Sequence, residues 1–395
     1  MEFDQVKKVK TAIVGCGMIS NIYINNLMHL FSVIDLVAVC DINRAAAEEK
    51  ARIYGVGKVL TMEEIAADPE IELVVNLTGP TAHYSVVKTM LEAGKNVYTE
   101  KMLTTELEQA RELAALAKSR KLYLGVAPDT VLGAGIQTAR KLIDCGLIGQ
   151  VTSGFVSVSR NQNLNSESFR FLQKNGGALP YDVGIYYIAA LVALLGSVSD
   201  IAGFGAPSPA HKRELLYQDN PDVWQIPGKN VVAAGLRFAN GALVSVHFDG
   251  NTVGSERRSI AVYGTEGILE LGDPNSFDGF VRLIRPEGSV VEMPFTHGYN
   301  GRNTYGEATP FDGYGNRGVG VAELAWALRQ GRGNRLSADY GLHCEEVLIA
   351  MEQASESGKA YHLQSSCNVA PLKSGYYSTM FDGKARADAE RSLVD

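Results

Sequence analysis

Gly15-Cys16-Gly17-Met18-Ile19-Ser20 follows a short apolar run, Val9 to Val14, and leads straight into a helical pattern. Two glycines there let the backbone turn tightly and approach a pyrophosphate, which then rests on the helix N-terminus that Met18 and Ile19 open. Ser20 stands where the full fingerprint has Gly or Ala. A second apolar run ends at Cys40-Asp41, two dozen residues beyond Gly17, where an acidic side chain would bind the ribose hydroxyls of an adenosine. Asp41 would repel a 2′-phosphate, which favours NAD; Arg44, three residues on, keeps NADP open.

Two further apolar runs end in polar tips: Asn76-Leu77-Thr78-Gly79-Pro80, with His83 in the turn that follows, and Glu100-Lys101-Met102. In a parallel sheet, ligands collect at the C-terminal ends of strands, so both tips belong at the nicotinamide end of a dinucleotide. A lysine placed there donates to a hydroxyl or ketone oxygen and lowers the pKa of a neighbour. Downstream, Gly176-Gly177-Ala178-Leu179-Pro180-Tyr181-Asp182-Val183-Gly184-Ile185-Tyr186 reads as a helix start, with Pro180 in the first turn. Asp182 and Tyr186 are four apart and stack on one helix face. A carboxylate and a phenol at a helix mouth make an acid/base pair. A tyrosine ordinarily titrates at ~10, too high for a base at neutral pH, and an ammonium such as Lys101 would bring it down.

The elements that must position these groups follow from periodicity. Strands are predicted at Val9 to Val14, Ile34 to Cys40, Leu73 to Leu77, Asn96 to Thr99 and Leu122 to Val126. Between them run amphipathic helices, marked by Ile19, Tyr23 and Leu27 and by Leu107, Ala110, Ala114 and Ala117. Thr61 with Glu64 and Thr105 with Glu108 read as capping boxes, and Gly94 as a helix stop. Alternating strands and helices imply a parallel sheet with crossover helices, an α/β unit over residues 1–128. From Asp129 the rhythm changes. After a helix from Ala134 to Cys145 come alternating strands around 156–159, 231–238, 242–248, 259–263, 267–271 and 281–284, with the hairpin signal Asn240-Gly241. Helices are predicted from Leu179 to Leu195, Val319 to Arg329 and Ala338 to Ser355. Residues 129–395 thus read as an α+β unit with a large, mostly antiparallel sheet.

Composition narrows the function classes. The chain has 395 residues, 37 Lys plus Arg against 44 Asp plus Glu, and a formal charge of −7. That balance argues against a nucleic-acid or anionic-membrane surface as the main partner. Hydrophobic residues make up 46% and charged residues 21%, ordinary globular usage. Cys16, Cys40, Cys145, Cys344 and Cys367 are scattered, which gives neither a disulfide framework nor a cysteine-built zinc site. No tight His/carboxylate cluster suggests a metal. The charged stretch Met1 to Lys10 has no signal-peptide core and no apolar run reaches spanning length, so a cytoplasmic protein is expected.

Taken together, the glycine turn, Asn76-Leu77-Thr78 with His83, Glu100-Lys101 and the Gly-rich Asp182-x-Gly184-x-Tyr186 segment resemble the Gfo/Idh/MocA oxidoreductases in order along nearly the whole chain, including Gly264-Thr265-Glu266-Gly267. The resemblance implies a Rossmann domain followed by an α+β domain whose open sheet packs in homodimers or homotetramers. It also implies hydride transfer between NAD(P) and a hydroxyl of a sugar, sugar derivative or cyclitol. By position, Gly15, Gly17 and Asp41 would hold the adenine half, and Asn76, Thr78, His83, Glu100 and Lys101 the nicotinamide half. Lys101, Asp182 and Tyr186 would be catalytic, with Met102 where the family usually has proline and Tyr186 where it commonly has histidine. A redox-assisted glycosidase with tightly held NAD, and a non-catalytic cofactor sensor, use the same residues and stay open. Arg160, Arg170 and Lys174 flank the site. Tyr299, Tyr305 and Tyr314 dot a loop at 296–317 suited to a sugar face, and His297, Arg317 and His343 are further contacts to weigh.

Overall fold

The computed structural model describes residues 6–209, 211–212, 223–301, 315–374, 390 and 393. Tyr305 and Tyr314 lie outside them. The chain opens with β1 (Val9–Val14), α1 (Ser20–His29), β2 (Ile34–Cys40), α2 (Arg44–Tyr54), β3 (Lys58–Val59), α3 (Met62–Ala67), β4 (Leu73–Asn76), α4 (Pro80–Glu92), β5 (Asn96–Thr99), α5 (Leu107–Arg120) and β6 (Leu124–Val126). The six strands form one parallel sheet in the order β3-β2-β1-β4-β5-β6. Period-two alternation sends Val9 and Ile13 of β1 into an apolar cluster with α1, and Ala12 and Val14 into another with α4 and α5. Both faces are therefore covered, as a parallel sheet requires. Strand order reverses at β1 and β4, so the crevice outside their C-terminal ends is the ligand position of this topology.

The second half contains α6 (Ala134–Asp144), β7 (Val151–Ser159), α7 (Gln162–Ser168), α8 (Ile185–Leu195), β8 (Val198–Pro207), β9 (His211–Lys212), β10 (Val223–Trp224), β11 (Lys229–Phe238), β12 (Leu243–Asp249), β13 (Arg257–Gly264), β14 (Ile268–Leu271), β15 (Val281–Ile284), β16 (Val290–Glu292), α9 (Val319–Gln330), α10 (Ala338–Ser357) and β17 (Tyr361–His362). Nine of these strands form a sheet in the order β16-β15-β14-β13-β7-β12-β11-β8-β17, antiparallel except where β7 runs parallel to β12. One face, with Val156, Val158, Val246 and Phe248, packs under the fully buried α8; Phe155, Phe204 and Leu243 are exposed. The α9 and α10 helices return to the first sheet. Leu324 stands over Gly125 and Tyr98 against Gly320, so one apolar cluster runs through both halves.

Several sequence expectations need correction. The Thr105–Glu108 capping box does not form: α5 starts at Leu107 with no side-chain cap, because the preceding loop is tied elsewhere, through Thr104. The Thr61–Glu64 box does form. His83 lies inside α4 rather than in a turn before it. The ten-residue strand β8, for which no strand is predicted, pairs with β11 along its length despite Gly203, Gly205 and Pro207. Pro180–Gly184 forms a π-helical turn ahead of α8.

The anchor of the Lys101 loop is a buried acid. Thr104 donates its N–H to Glu345 Oε2 (2.9 Å), and its hydroxyl lies 2.5 Å from Oε1 and 2.8 Å from the Glu106 carbonyl oxygen. One hydroxyl proton cannot serve both acceptors; a neutral Glu345 resolves this by donating to Thr104, which then donates to Glu106. Burial pushes the Glu345 carboxyl up to about 8, against the two Thr104 hydrogen bonds. Its folded-state value thus lies above its ordinary 4.5, so its contribution to stability is complete below about 4.5 and is lost as pH rises through about 8. Glu345→Gln, a permanently neutral isostere, should match the wild-type melting temperature near pH 5. At pH 9 it should exceed it by ~5–10 °C, the equivalent of ~3 kcal/mol.

Candidate active site

At the β1 tip, Gly15 has φ +103° and a Cβ there would lie 2.6 Å from the Leu77 carbonyl carbon, so the turn and the close approach of β1 to β4 both require glycine. Gly17 differs: a Cβ there would meet nothing within 4 Å, so packing does not demand glycine and the space in front of the turn is open. Asp41 closes this corner, accepting from the Cys16 N–H through Oδ2 (2.7 Å) and from the Asn43 N–H through Oδ1 (2.8 Å). Arg44 is exposed and donates to Glu48 one turn along its own helix. Met18 is exposed and Ile19 half-buried at the start of α1. An open cradle in front of a glycine turn, beside a fixed carboxylate, fits the pyrophosphate and ribose of a dinucleotide.

The β4 and β5 tips are held by their own side chains. Asn76 is fully buried, donates to Thr99 Oγ1 (3.0 Å) and accepts from the Thr78 hydroxyl (2.7 Å). Glu100 accepts from the Tyr23 hydroxyl of α1 (2.7 Å) and from the Lys101 N–H (3.0 Å). His83 was expected along the nicotinamide. It is instead fully buried, its ring nitrogens against the carbonyl oxygens of Met102 (2.5 Å) and Thr78 (2.9 Å), and it clamps the two tips together. The Lys101–Met102 peptide is cis.

Three residues from distant stretches converge beyond these tips. Lys101 Nζ donates to the Asp182 main-chain oxygen (2.7 Å) and to its Oδ1 (3.1 Å), and stands 5.2 Å from the centre of the Tyr186 ring. Asp182 Oδ2 accepts from Gln162 (3.1 Å) and faces Arg160 (3.6 Å). Burial works against the Lys101 ammonium, but Tyr186, Asp182 and Glu100 outweigh it and its pKa is raised. Burial likewise opposes the Asp182 carboxylate, and Lys101, Arg160 and Gln162 more than compensate, so its pKa is lowered. The pair is therefore an ion pair at neutral pH.

Arg317 joins the same cluster. Arg170 and Lys174 are exposed in the segment beyond α7. His343 is structural: its Nε2 accepts from the Val198 N–H and its Nδ1 meets Ser365. His297 is buried between Thr296 and the Leu372 carbonyl oxygen. Sequence reasoning missed Tyr23, Gln162 and Asp129. Tyr23 counted as an apolar helix position, and only its reach to Glu100 distinguishes it. Among the described residues there is no group of three or more His, Cys, Asp or Glu that could hold a metal ion, and no helix long and apolar enough to cross a membrane.

The two glycines separate fold from binding. Gly15→Ala should lower stability by ~2 kcal/mol or more, because it forces a strained φ and a backbone clash. Gly17→Val should leave the melting temperature within about a degree of wild type yet weaken NAD binding at least about tenfold, ~1.4 kcal/mol, by filling the open cradle. Thermal melts and NAD titration calorimetry check both.

Comparison with known proteins bears on the whole arrangement. The family model described as "Oxidoreductase family, NAD-binding Rossmann fold" matches residues 9–127, and the Gfo/Idh/MocA C-terminal domain matches residues 136–270. An uncharacterised oxidoreductase of Schizosaccharomyces pombe is 33% identical over 192 residues, 48% of this chain and 52% of that protein, so the match spans about half of its length. A scyllo-inositol 2-dehydrogenase (NADP(+)) of Bacillus subtilis is 24% identical over 365 residues, 90% of this chain and 95% of that protein. Among solved structures, levoglucosan dehydrogenase in complex with NADH superposes with a TM-score of 0.76 at 19% identity, covering 91% of this chain and all of that one; this likeness bears on the fold. With matches to both of its domains in order, and with the glycine turn and Lys101 tip built as described, the chain belongs to the Gfo/Idh/MocA oxidoreductase family.

Proposed function

We propose that the protein is an NAD-dependent dehydrogenase of a neutral polyhydroxylated substrate, a sugar, sugar derivative or cyclitol. The observation that carries the reading is the contact of Lys101 Nζ with Asp182 and the Tyr186 ring beside the β4 and β5 tips. Residues 1–128 serve as the dinucleotide-binding domain, and residues 129–395 supply Asp182 and Tyr186 and the surface for assembly into dimers or tetramers. Gly15, Gly17 and Asp41 hold the adenine half of the cofactor, and Thr78 and Lys101 meet the nicotinamide half. Asp41, kept in place by two N–H groups, supports NAD over NADP. The Bacillus subtilis relative is named for NADP(+), so paired NAD and NADP titrations are the direct comparison.

Charge supports a neutral substrate. Lys101 and Arg160 face Asp182, Arg317 faces Asp129, and Glu100 sits behind Lys101, so three cations meet three carboxylates and no net positive field is left for an anion.

Bound NAD supplies the hydride acceptor. The protein orients the substrate and manages one proton. Lys101, held as an ammonium by Asp182, is a poor base and a good donor to the substrate oxygen. Tyr186 is left to take the proton. In the oxidative direction Tyr186 serves as its phenolate, so when the O–H bond on the reacting carbon breaks, the proton passes to Tyr186 Oη and restores the phenol. The hydride leaves the same carbon, and a ketone remains. Asp182 keeps Lys101 aimed and charged.

The test is NADH absorbance on incubating the purified protein and NAD with sugars, inositols and glycosides. Accumulating NADH supports the dehydrogenase, whereas aglycone release without net NADH overturns it in favour of the redox-assisted glycosidase. Lys101→Ala should lower turnover at least about a thousandfold, ~4 kcal/mol, while NAD affinity stays within about threefold. Wild-type rates in that variant would remove Lys101 from the mechanism, whereas a silent Lys101→Ala phenotype beside intact ligand binding would favour a sensor.

A further inference from the structure

Arg317 is buried (3% exposed) just ahead of α9, where several distant parts of the chain hold it. Asn26 of α1 donates to its main-chain oxygen (2.7 Å) and to that of Gly315 (2.9 Å), which ties the turn to the first sheet. Its guanidinium faces Asp129 (Nη1 to Oδ1, 3.7 Å), whose other oxygen accepts from the N–H groups of Gly318 (2.8 Å) and Gly320 (3.2 Å). Nη2 donates to Asn275 Oδ1 (2.8 Å), in the loop after β14. The same Nη2 lies 3.2 Å from Tyr186 Oη, and the guanidinium carbon stands 5.2 Å from the ring centre.

From this geometry we infer that Arg317 is a positioning residue for proton transfer at Tyr186: it fixes the phenol by its oxygen and stabilises the charge on Oη when the proton is absent. The inference rests on the preceding reading of Tyr186 as the group that takes the proton. A guanidinium only donates, so its approach to Oη uses one oxygen lone pair and leaves the rest of the oxygen to exchange a proton with a substrate. A planar fork held at Asn275 and Asp129 presents one N–H along a fixed direction, which a lysine cannot do. Burial opposes the Arg317 charge, but Tyr186, Asp129, Glu100 and Tyr23 outweigh it, so it stays protonated throughout. The charged and titratable groups around Tyr186 are Lys101 and Glu100 from the β5 tip, Asp182 from its own helical segment, Tyr23 from α1, and Asp129 with Arg317.

The decisive readout needs no substrate. Near-ultraviolet absorbance on alkaline titration reports phenolate formation, and subtracting Tyr186→Phe isolates the Tyr186 component. Arg317→Met combined with Asp129→Asn removes both charges of the buried pair and so leaves no uncompensated ion. In that variant the component should move to higher pH by about one unit or more, a tenfold change in the proton equilibrium. Arg317→Lys keeps a charge beside Asp129 and should give a smaller shift of the same sign, which decides the matter if the neutral pair fails to fold. With any substrate that the wild type oxidises, the neutral pair should lower kcat about thirtyfold with KM and NAD affinity within about threefold. An unmoved Tyr186 component in a folded variant overturns the inference. A component that moves while no sugar or cyclitol is oxidised overturns the dehydrogenase reading and leaves the Arg317–Tyr186 coupling standing.

Discussion

The site depends on one interaction, the buried ion pair between Lys101 and Asp182. Its side chains are 16% and 12% exposed and belong to segments 81 residues apart, one on each sheet-bearing half of the chain. Taking two charges out of water costs several kcal/mol per ion unless further hydrogen bonds satisfy them. Here they do. Lys101 also donates to the Asp182 main-chain oxygen, while Gln162 and Arg160 serve the second carboxylate oxygen. A pair so arranged adds little net stability. What it does is fix where the two halves meet and hold the ammonium beside the Tyr186 ring.

The surrounding structure then reads as support for two short strand tips. His83 sits between the carbonyl oxygens of Thr78 at the β4 tip and Met102 just beyond Lys101, Tyr23 fixes Glu100, and Glu345 anchors Thr104 at the far end of the same loop. None of these residues faces the cleft. They set the direction of one that does, as a preorganised site requires. On the other side, α8 is apolar and buried along its whole length, so Tyr186 rides on a rigid element rather than a loop.

The parallel sheet was legible because its strands are short, apolar and followed by turn chemistry that admits few alternatives. Gly15, Gly94 and Gly241 sit at positive φ where the pattern demanded them. The antiparallel hairpin of β11 and β12 was legible for the same reason. Strand β8 was not: its glycines carry no β signal, and it is a strand only because β11 offers a partner along its length. The Thr105 cap failed through a competing long-range contact, Thr104 with Glu345, 241 residues apart. At the site, Lys101, Asp182 and Tyr186 could be named from spacing and resemblance, whereas Tyr23, Gln162 and Asp129 act through contacts that no local pattern encodes. Asn76 and His83 mark the boundary: their types were noticed, but only the three-dimensional structure reveals that they turn inward to hold the backbone.

A crystal structure of the protein grown with NAD tests the central claim most directly. The account predicts the pyrophosphate against Gly17, the ribose on Asp41, and the nicotinamide beside Lys101 and Tyr186, with room for a substrate carbon at ~3–3.5 Å from its reactive carbon. A nicotinamide ring seated away from Lys101, or a Lys101–Asp182 pair that parts when the cofactor enters, would contradict it.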